Sequence, residues 1–401
     1  MWEQIRSNQI RSVVLVIGMG ALLVLLGFFL GLHFFGSALG GLFVALVVWV
    51  LMSLFAYFRG DSLLLTMSRA KKISHDDHPR LYNVVEEMKI ASGLEKMPNI
   101  YIIDDPALNA FATGRDPNRA AVAITSGLLQ KLNRDELQGV IAHEISHIKS
   151  RDVLLMAMCG VLLGTIVILA WYGSRFLIFG SMTGSRRSSS GGGGQAQIII
   201  LVAALVFMIL APIMAQFIYL AISRKREYLA DASSALYTRY PEGLASALEK
   251  LGASTGQLKS ANQATAPMYI INPFRKKGMK ASDLTSTHPP ISERIRILRA
   301  MAGASFSDYD QAYRQVHRGG KGIMPAAAGI ATGVAPLAAT KPEAKVEEPD
   351  EMQRARETSD VMWRLSNYKT IACDCGAKLR VPPRFKEPKI TCPHCGRIHP
   401  V

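Results

Sequence analysis

His143-Glu144-Ile145-Ser146-His147 is the stretch that decides how this chain reads. On a helix, residues i and i+4 share a face, so both imidazoles can bind one metal ion. Glu144 lies about 100° further round and reaches a metal-bound water rather than the metal itself. Zinc lowers the pKa of such a water from about 15.7 towards 7, and Glu144 can take its proton and later deliver it to a leaving amine. The flanking residues support a helix. Asn133 can cap it, Asp135 and Glu136 suit its first turn, and Leu137, Val140, Ile141 and Ile145 supply the apolar spacing.

A catalytic zinc needs a third protein ligand and an open position for water. Glu227 is the candidate, because in Glu227-Tyr228-Leu229-Ala230-Asp231 the two carboxylates lie one turn apart. One can bind metal while the other holds a histidine ring. The competing reading is a solvated helix start with Glu227 paired to Arg224 or Arg226. Chain topology opposes it, since His147 stands just before one apolar stretch and Glu227 just after the next. An antiparallel membrane hairpin returns Glu227 to the face that carries the histidines.

The 401 residues are 49% hydrophobic, and the apolar residues are concentrated, which points to lipid rather than to several soluble domains. Val13 to Phe58 carries no Asp, Glu, Lys or Arg and is long enough for two spans; Val153 to Phe179 and Ile198 to Ile222 supply two more. Four transmembrane helices in two hairpins are therefore expected. Arg6, Arg11, Arg59, Arg69, Lys71, Lys72, Arg224, Lys225 and Arg226 flank the spans and place both termini and the soluble parts on the cytoplasmic side of an inner or plasma membrane, although Arg175, Arg186 and Arg187 fall in the outer loop. The net charge of +15 is spread along span ends, so the bilayer's anionic lipids, not nucleic acid, are its expected partner.

The expected organisation is two spans over 1–58, a first protease segment over 59–152, a hairpin with a Ser/Gly-rich loop over 153–222, and a second protease segment over 223–318. A linker over 319–369 and a small module over 370–401 follow. Within the first segment His78 to Ala91 reads as an amphipathic helix, Asn99 to Asp104 and Ala121 to Thr125 as strands, and Asn109 to Gly114 as a turn or an exposed edge near a ligand. Cys373-Asp374-Cys375-Gly376 and Cys392-Pro393-His394-Cys395-Gly396 look like two knuckles of a zinc ribbon, in which four thiolates leave no open coordination position. His394 or His399 could replace one thiolate. Cysteines so grouped suit a reducing compartment better than a disulfide framework.

On these residues the chain resembles the HtpX-like integral-membrane zinc metallopeptidases, related to the CaaX prenyl endopeptidases. The resemblance covers roughly residues 1 to 300 and rests on His143 to His147, Glu227 to Asp231, Asn109 to Gly114 and Thr287-His288-Pro289-Pro290. It implies a multi-pass α-helical membrane protein with an α+β, mainly helical, zincin-type metalloprotease domain, to which the zinc-ribbon-like module is added. It implies His143, His147 and Glu227 as zinc ligands, Glu144 as general base, Asp231 supporting the ligands, His288 near the site, and Asn109 beside the substrate edge. The activity implied is hydrolysis of membrane or misfolded proteins. An inactive membrane scaffold that recruits protein or nucleic acid through the ribbon is the alternative, but a scaffold has no use for Glu144, which binds no metal. A transporter needs ionisable residues within the spans, where only His33 is available.

Overall fold

The computed structural model describes residues 2–183, 194–254, 256, 258, 269–271, 288–319, 322–324 and 348–401. Two long helices open the chain, α1 (Trp2–Phe35) and α2 (Ala38–Met67), and their backbones touch. A Cβ on Gly41 would stand 2.1 Å from the Gly27 carbonyl oxygen and 2.6 Å from the Gly31 Cα, so only glycines permit this approach. α2 is long and apolar enough to cross a membrane. The third and fourth apolar stretches lie in α6 (Asp152–Thr183) and α7 (Gly194–Thr238), for parts of which only the backbone is described. These two pack on each other and on α1, and most of the Ser181 to Gln197 loop lies outside the described residues.

Between the two hairpins sits a small α/β unit. β1 (Lys71–Ile73), β2 (Asn99–Ile103), β3 (Ala110–Thr113) and β4 (Ala121–Thr125) form a sheet in the order β1-β2-β4-β3. β2 and β4 run parallel, and the outer pairs are antiparallel. The stretch Asn109 to Gly114, expected as a turn or exposed edge, is therefore mostly an edge strand, and all four residues of β3 are buried.

α3 (Pro79–Ser92), α4 (Ser126–Lys131) and α5 (Arg134–Lys149) cover the sheet, and α8 (Pro241–Ala253), α9 (Ile291–Arg299) and α10 (Phe306–Val316) complete the core. α5 starts with a reciprocal cap: the Glu136 amide donates to Asn133 Oδ1 at 2.8 Å, and the Asn133 amide donates to Glu136 Oε2 at 2.9 Å. It also packs on α8. A Cβ on Gly139 would lie 2.6 Å from the Leu244 amide nitrogen, so the two helices meet backbone to backbone.

The expected linker over 319–369 is corrected at its far end. Glu351–Leu365 forms α11, capped by Asp350, with Val361 and Met362 buried in the same core as α5. Arg354 donates to the Gln130 carbonyl, and Lys71 donates to the Leu365 carbonyl and the Ser366 hydroxyl, so the helix is strapped to the protease segment. Two hairpins follow, β5 (Lys369–Ala372) with β6 (Lys378–Val381) and β7 (Lys389–Thr391) with β8 (Ile398–Pro400). Asp360 of α11 binds both Lys378 and Arg380, and Arg380 lies over the Trp363 ring. The terminal module is thus docked, not tethered.

Candidate active site

α5 supplies His143, Glu144 and His147, while Glu227 and Asp231 ride on α7, which continues from the fourth apolar stretch into the soluble unit. His143 Nε2 and His147 Nε2 stand 3.2 Å apart, Glu227 Oε2 is 3.5 Å from the first and Glu227 Oε1 is 3.5 Å from the second. Ligands at about 2.0–2.1 Å from a tetrahedral zinc lie about 3.3–3.4 Å from one another, so these three edges fit one ion with its fourth corner open. The donor set of two imidazoles and a carboxylate suits zinc as well.

Charge and burial are balanced tightly here. Burial by itself would raise the Glu227 carboxyl, but His288, His143 and His147 hold it well below the ordinary carboxylate range. Burial would lower His143, yet its bonds to Asp231 and Glu227 outweigh that and push it up to about 9. Glu144 behaves oppositely. Its burial dominates and raises its carboxyl, while the two histidines and the Ala112 backbone N–H act against the rise. Glu144 Oε1 is buried without a hydrogen-bond partner among the described residues, an orphan acceptor beside the metal triangle.

The other expected residues fall as follows. Asp231 Oδ1 faces His143 Nδ1 at 3.0 Å, which turns Nε2 toward Glu227. His288 Nδ1 is 3.0 Å from Glu227 Oε2, so the residues before α9 close the site from a third side. Asn109, expected beside a substrate edge, stands just before β3 and turns no exposed face outward. It is buried, its side-chain amide donates to the Ile271 carbonyl, and its Oδ1 accepts from the Ala110 amide. Two residues were not singled out by the sequence reading. Arg294 of α9 is fully buried and grips Asp231, and Asp152, at the start of α6, lies 3.4 Å from His147 Nδ1. Arg226 pairs with Asp152, not with Glu227.

A second group of residues that could hold a metal ion lies in the terminal module. Cys373 Sγ is 3.4 Å from Cys395 Sγ, and Cys375 Sγ is 3.7 Å from Cys392 Sγ. Tetrahedral thiolates at about 2.3 Å from zinc stand about 3.8 Å apart, so the four sulfurs fit one ion. Each knuckle turns on a glycine in the left-handed region, Gly376 at φ 84° and Gly396 at φ 75°.

Residues 75–302 match the profile described as peptidase family M48. The chain is 44% identical over 261 residues to a protein called protease HtpX homolog from Dictyoglomus turgidum, covering 65% of this chain and 82% of that one. It is 42% identical over 298 residues to a protein of the same name from Streptococcus mutans, covering 74% of this chain and 99% of that one. The crystal structure of S. mikatae Ste24p aligns at 22% identity and a TM-score of 0.42 over 74% of this chain and 67% of that one. Because the matched span runs through α5, the end of α7 and α9, and because these relatives are covered over most of their length, the chain belongs to peptidase family M48 and is a metalloendopeptidase of the membrane.

Proposed function

We propose that this protein is a multi-pass membrane zinc endopeptidase in which His143, His147 and Glu227 hold the catalytic zinc and Glu144 is the general base. The observation that carries the proposal is the triangle of Nε2, Nε2 and carboxylate oxygens at 3.2–3.5 Å, with the unpartnered Glu144 oxygen beside it. Bound zinc would supply a water acidic enough to lose its proton near neutral pH and a positive charge for the developing oxyanion. Glu144 takes that proton at its carboxylate and returns it to the leaving amine. Its burial raises its proton affinity, which favours the first half of that exchange, the uptake of the proton. His288, whose Nδ1 is 3.0 Å from Glu227 Oε2, is proposed as the donor to the developing oxyanion.

Substrate binding is proposed along β3. This strand is the outer strand of the sheet beside α5, and the Ile270 amide donates to the Ala110 carbonyl on that side, a main-chain pairing of the kind an extended substrate would make. Pairing through backbone atoms reads little sequence, which suits membrane or misfolded protein substrates. The four apolar stretches and the basic residues at their ends support a cytoplasmic site on a bilayer crossed four times. Cys373, Cys375, Cys392 and Cys395 are proposed to hold a second, structural zinc, with the module offering a surface for a protein partner. The test is purified full-length protein in detergent, assayed on an unfolded protein before and after metal removal. Loss of cleavage on chelation and its return with zinc supports the proposal, and chelator-resistant cleavage rejects it.

A further inference from the structure

The two histidines of α5 are not held alike by accident of sequence. His143 Nδ1 faces Asp231, and Asp231 is gripped by the fully buried Arg294. His147 Nδ1 faces Asp152 Oδ2 at 3.4 Å, and the other oxygen of Asp152 lies 3.5 Å from Arg226 Nε. Asp152 and Arg226 are more than nine-tenths buried. Each imidazole is therefore backed by a carboxylate, and each carboxylate by a buried guanidinium.

The second arrangement depends on a local backbone device. α5 ends at Lys149, Arg151 takes φ 57°, and α6 begins at Asp152, so the chain turns sharply enough to bring a side chain five positions on back to His147. Arg226 arrives from α7, one residue before Glu227. None of the three guanidinium nitrogens of Arg226 has a hydrogen-bond partner among the described residues, so the ion pair with Asp152 at 3.5 Å is what compensates the buried charge.

We infer that Asp152 and Arg226 are a second carboxylate–arginine clamp, in which Arg226 positions Asp152 and Asp152 fixes the ring of His147 so that Nε2 points at the catalytic metal. The carboxylate holds the proton on Nδ1 and leaves the Nε2 lone pair for the metal. Both are positioning residues for the peptidase reaction, and the inference rests on His147 being a ligand as proposed above.

The test follows metal affinity by chelator competition on the full-length protein, with the thiolate-held zinc as an internal standard. Asp152→Asn and Arg226→Gln should each weaken the non-thiolate zinc by 10–100-fold and leave the thiolate zinc unchanged. Because Arg226 acts through Asp152, Arg226→Gln should add little in the Asp152→Asn background. Arg226→Lys, which keeps the charge, should retain affinity closer to the parent and serves if the other variants do not fold. Equal affinity in all variants, or an Arg226→Gln effect undiminished when Asp152 is already Asn, overturns the clamp. His147→Ala run in parallel separates the two claims: if it keeps the metal, the ligand assignment is wrong, and if it loses the metal while Asp152→Asn keeps it, only the clamp is wrong.

Discussion

Arg294 holds both oxygens of Asp231, Nε to Oδ2 at 2.8 Å and Nη2 to Oδ1 at 2.6 Å, and both side chains are wholly buried. This fork is what permits an acidic residue to stay ionised in the core behind His143: burial would raise Asp231, but Arg294 and His143 bring it below its ordinary value. Arg294 also donates to the Ile270 carbonyl, so the same side chain ties the ligand shell to the segment on the β3 edge.

Arg294→Ala should destabilise the fold by about 3–5 kcal/mol, because it strands a buried carboxylate. Arg294→Lys should recover only part of this, since an ammonium cannot reproduce the fork. Denaturant unfolding of the purified protein measures both, and a parental midpoint for the alanine variant would show that the pair carries no such weight.

Much of this site was legible from short-range pattern. The i, i+4 histidines, the Asn133 and Glu136 cap and the Glu227 to Asp231 turn are local features, and they put these side chains on the helices α5 and α7, as the structure has them. β3 was not legible as a strand, because Ala110 to Thr113 is buried throughout and shows no alternation of polar and apolar residues. Asp152 and Arg294 are joined to the histidines only by tertiary contact, and no spacing announces such pairs. α11 did leave a signal, the Asp350 and Gln353 capping box ahead of Thr358, Val361, Met362 and Leu365, but its polar majority and the Ala/Pro-rich residues before it read as linker.

The docked helix changes what truncation should do. Removing everything after residue 345 strips Val361 and Met362 from the core and should lower the melting temperature by several degrees or more, whereas a stop after Asn367 should leave the protease stable. Cys392→Ser with Cys395→Ser should lower bound zinc from two to one per chain and leave turnover of a short peptide nearly unchanged. Equal melting of the two truncations would contradict the docking of α11.

The third ligand is tested by Glu227→Ala against His288→Ala. Glu227→Ala should lose the non-thiolate zinc, while His288→Ala should keep it and lose turnover, because His288 reaches Glu227 and not the two imidazoles. The reverse pattern in metal analysis would move the ligand role to His288.

In the metal-free protein His143 is pushed up to about 9, so its contribution to stability is complete below about pH 6.5 and is lost as pH rises through about 9. Zinc must displace that proton. Apparent affinity of the non-thiolate site should therefore climb by up to about tenfold per pH unit towards pH 9, with proton release on binding. Calorimetric titration in buffers of different ionisation enthalpy reads this directly, and a flat affinity between about pH 6.5 and 8.5 would exclude the charged histidine.

The central claim is that Glu144 is the base and not a ligand or a structural group. Its most direct measurement is zinc content and protein cleavage by Glu144→Gln in the full-length chain. The account predicts two zinc ions bound, a parental melting profile, and cleavage reduced by on the order of 100-fold or more. Near-parental cleavage by that variant, with contaminating protease excluded, would contradict it.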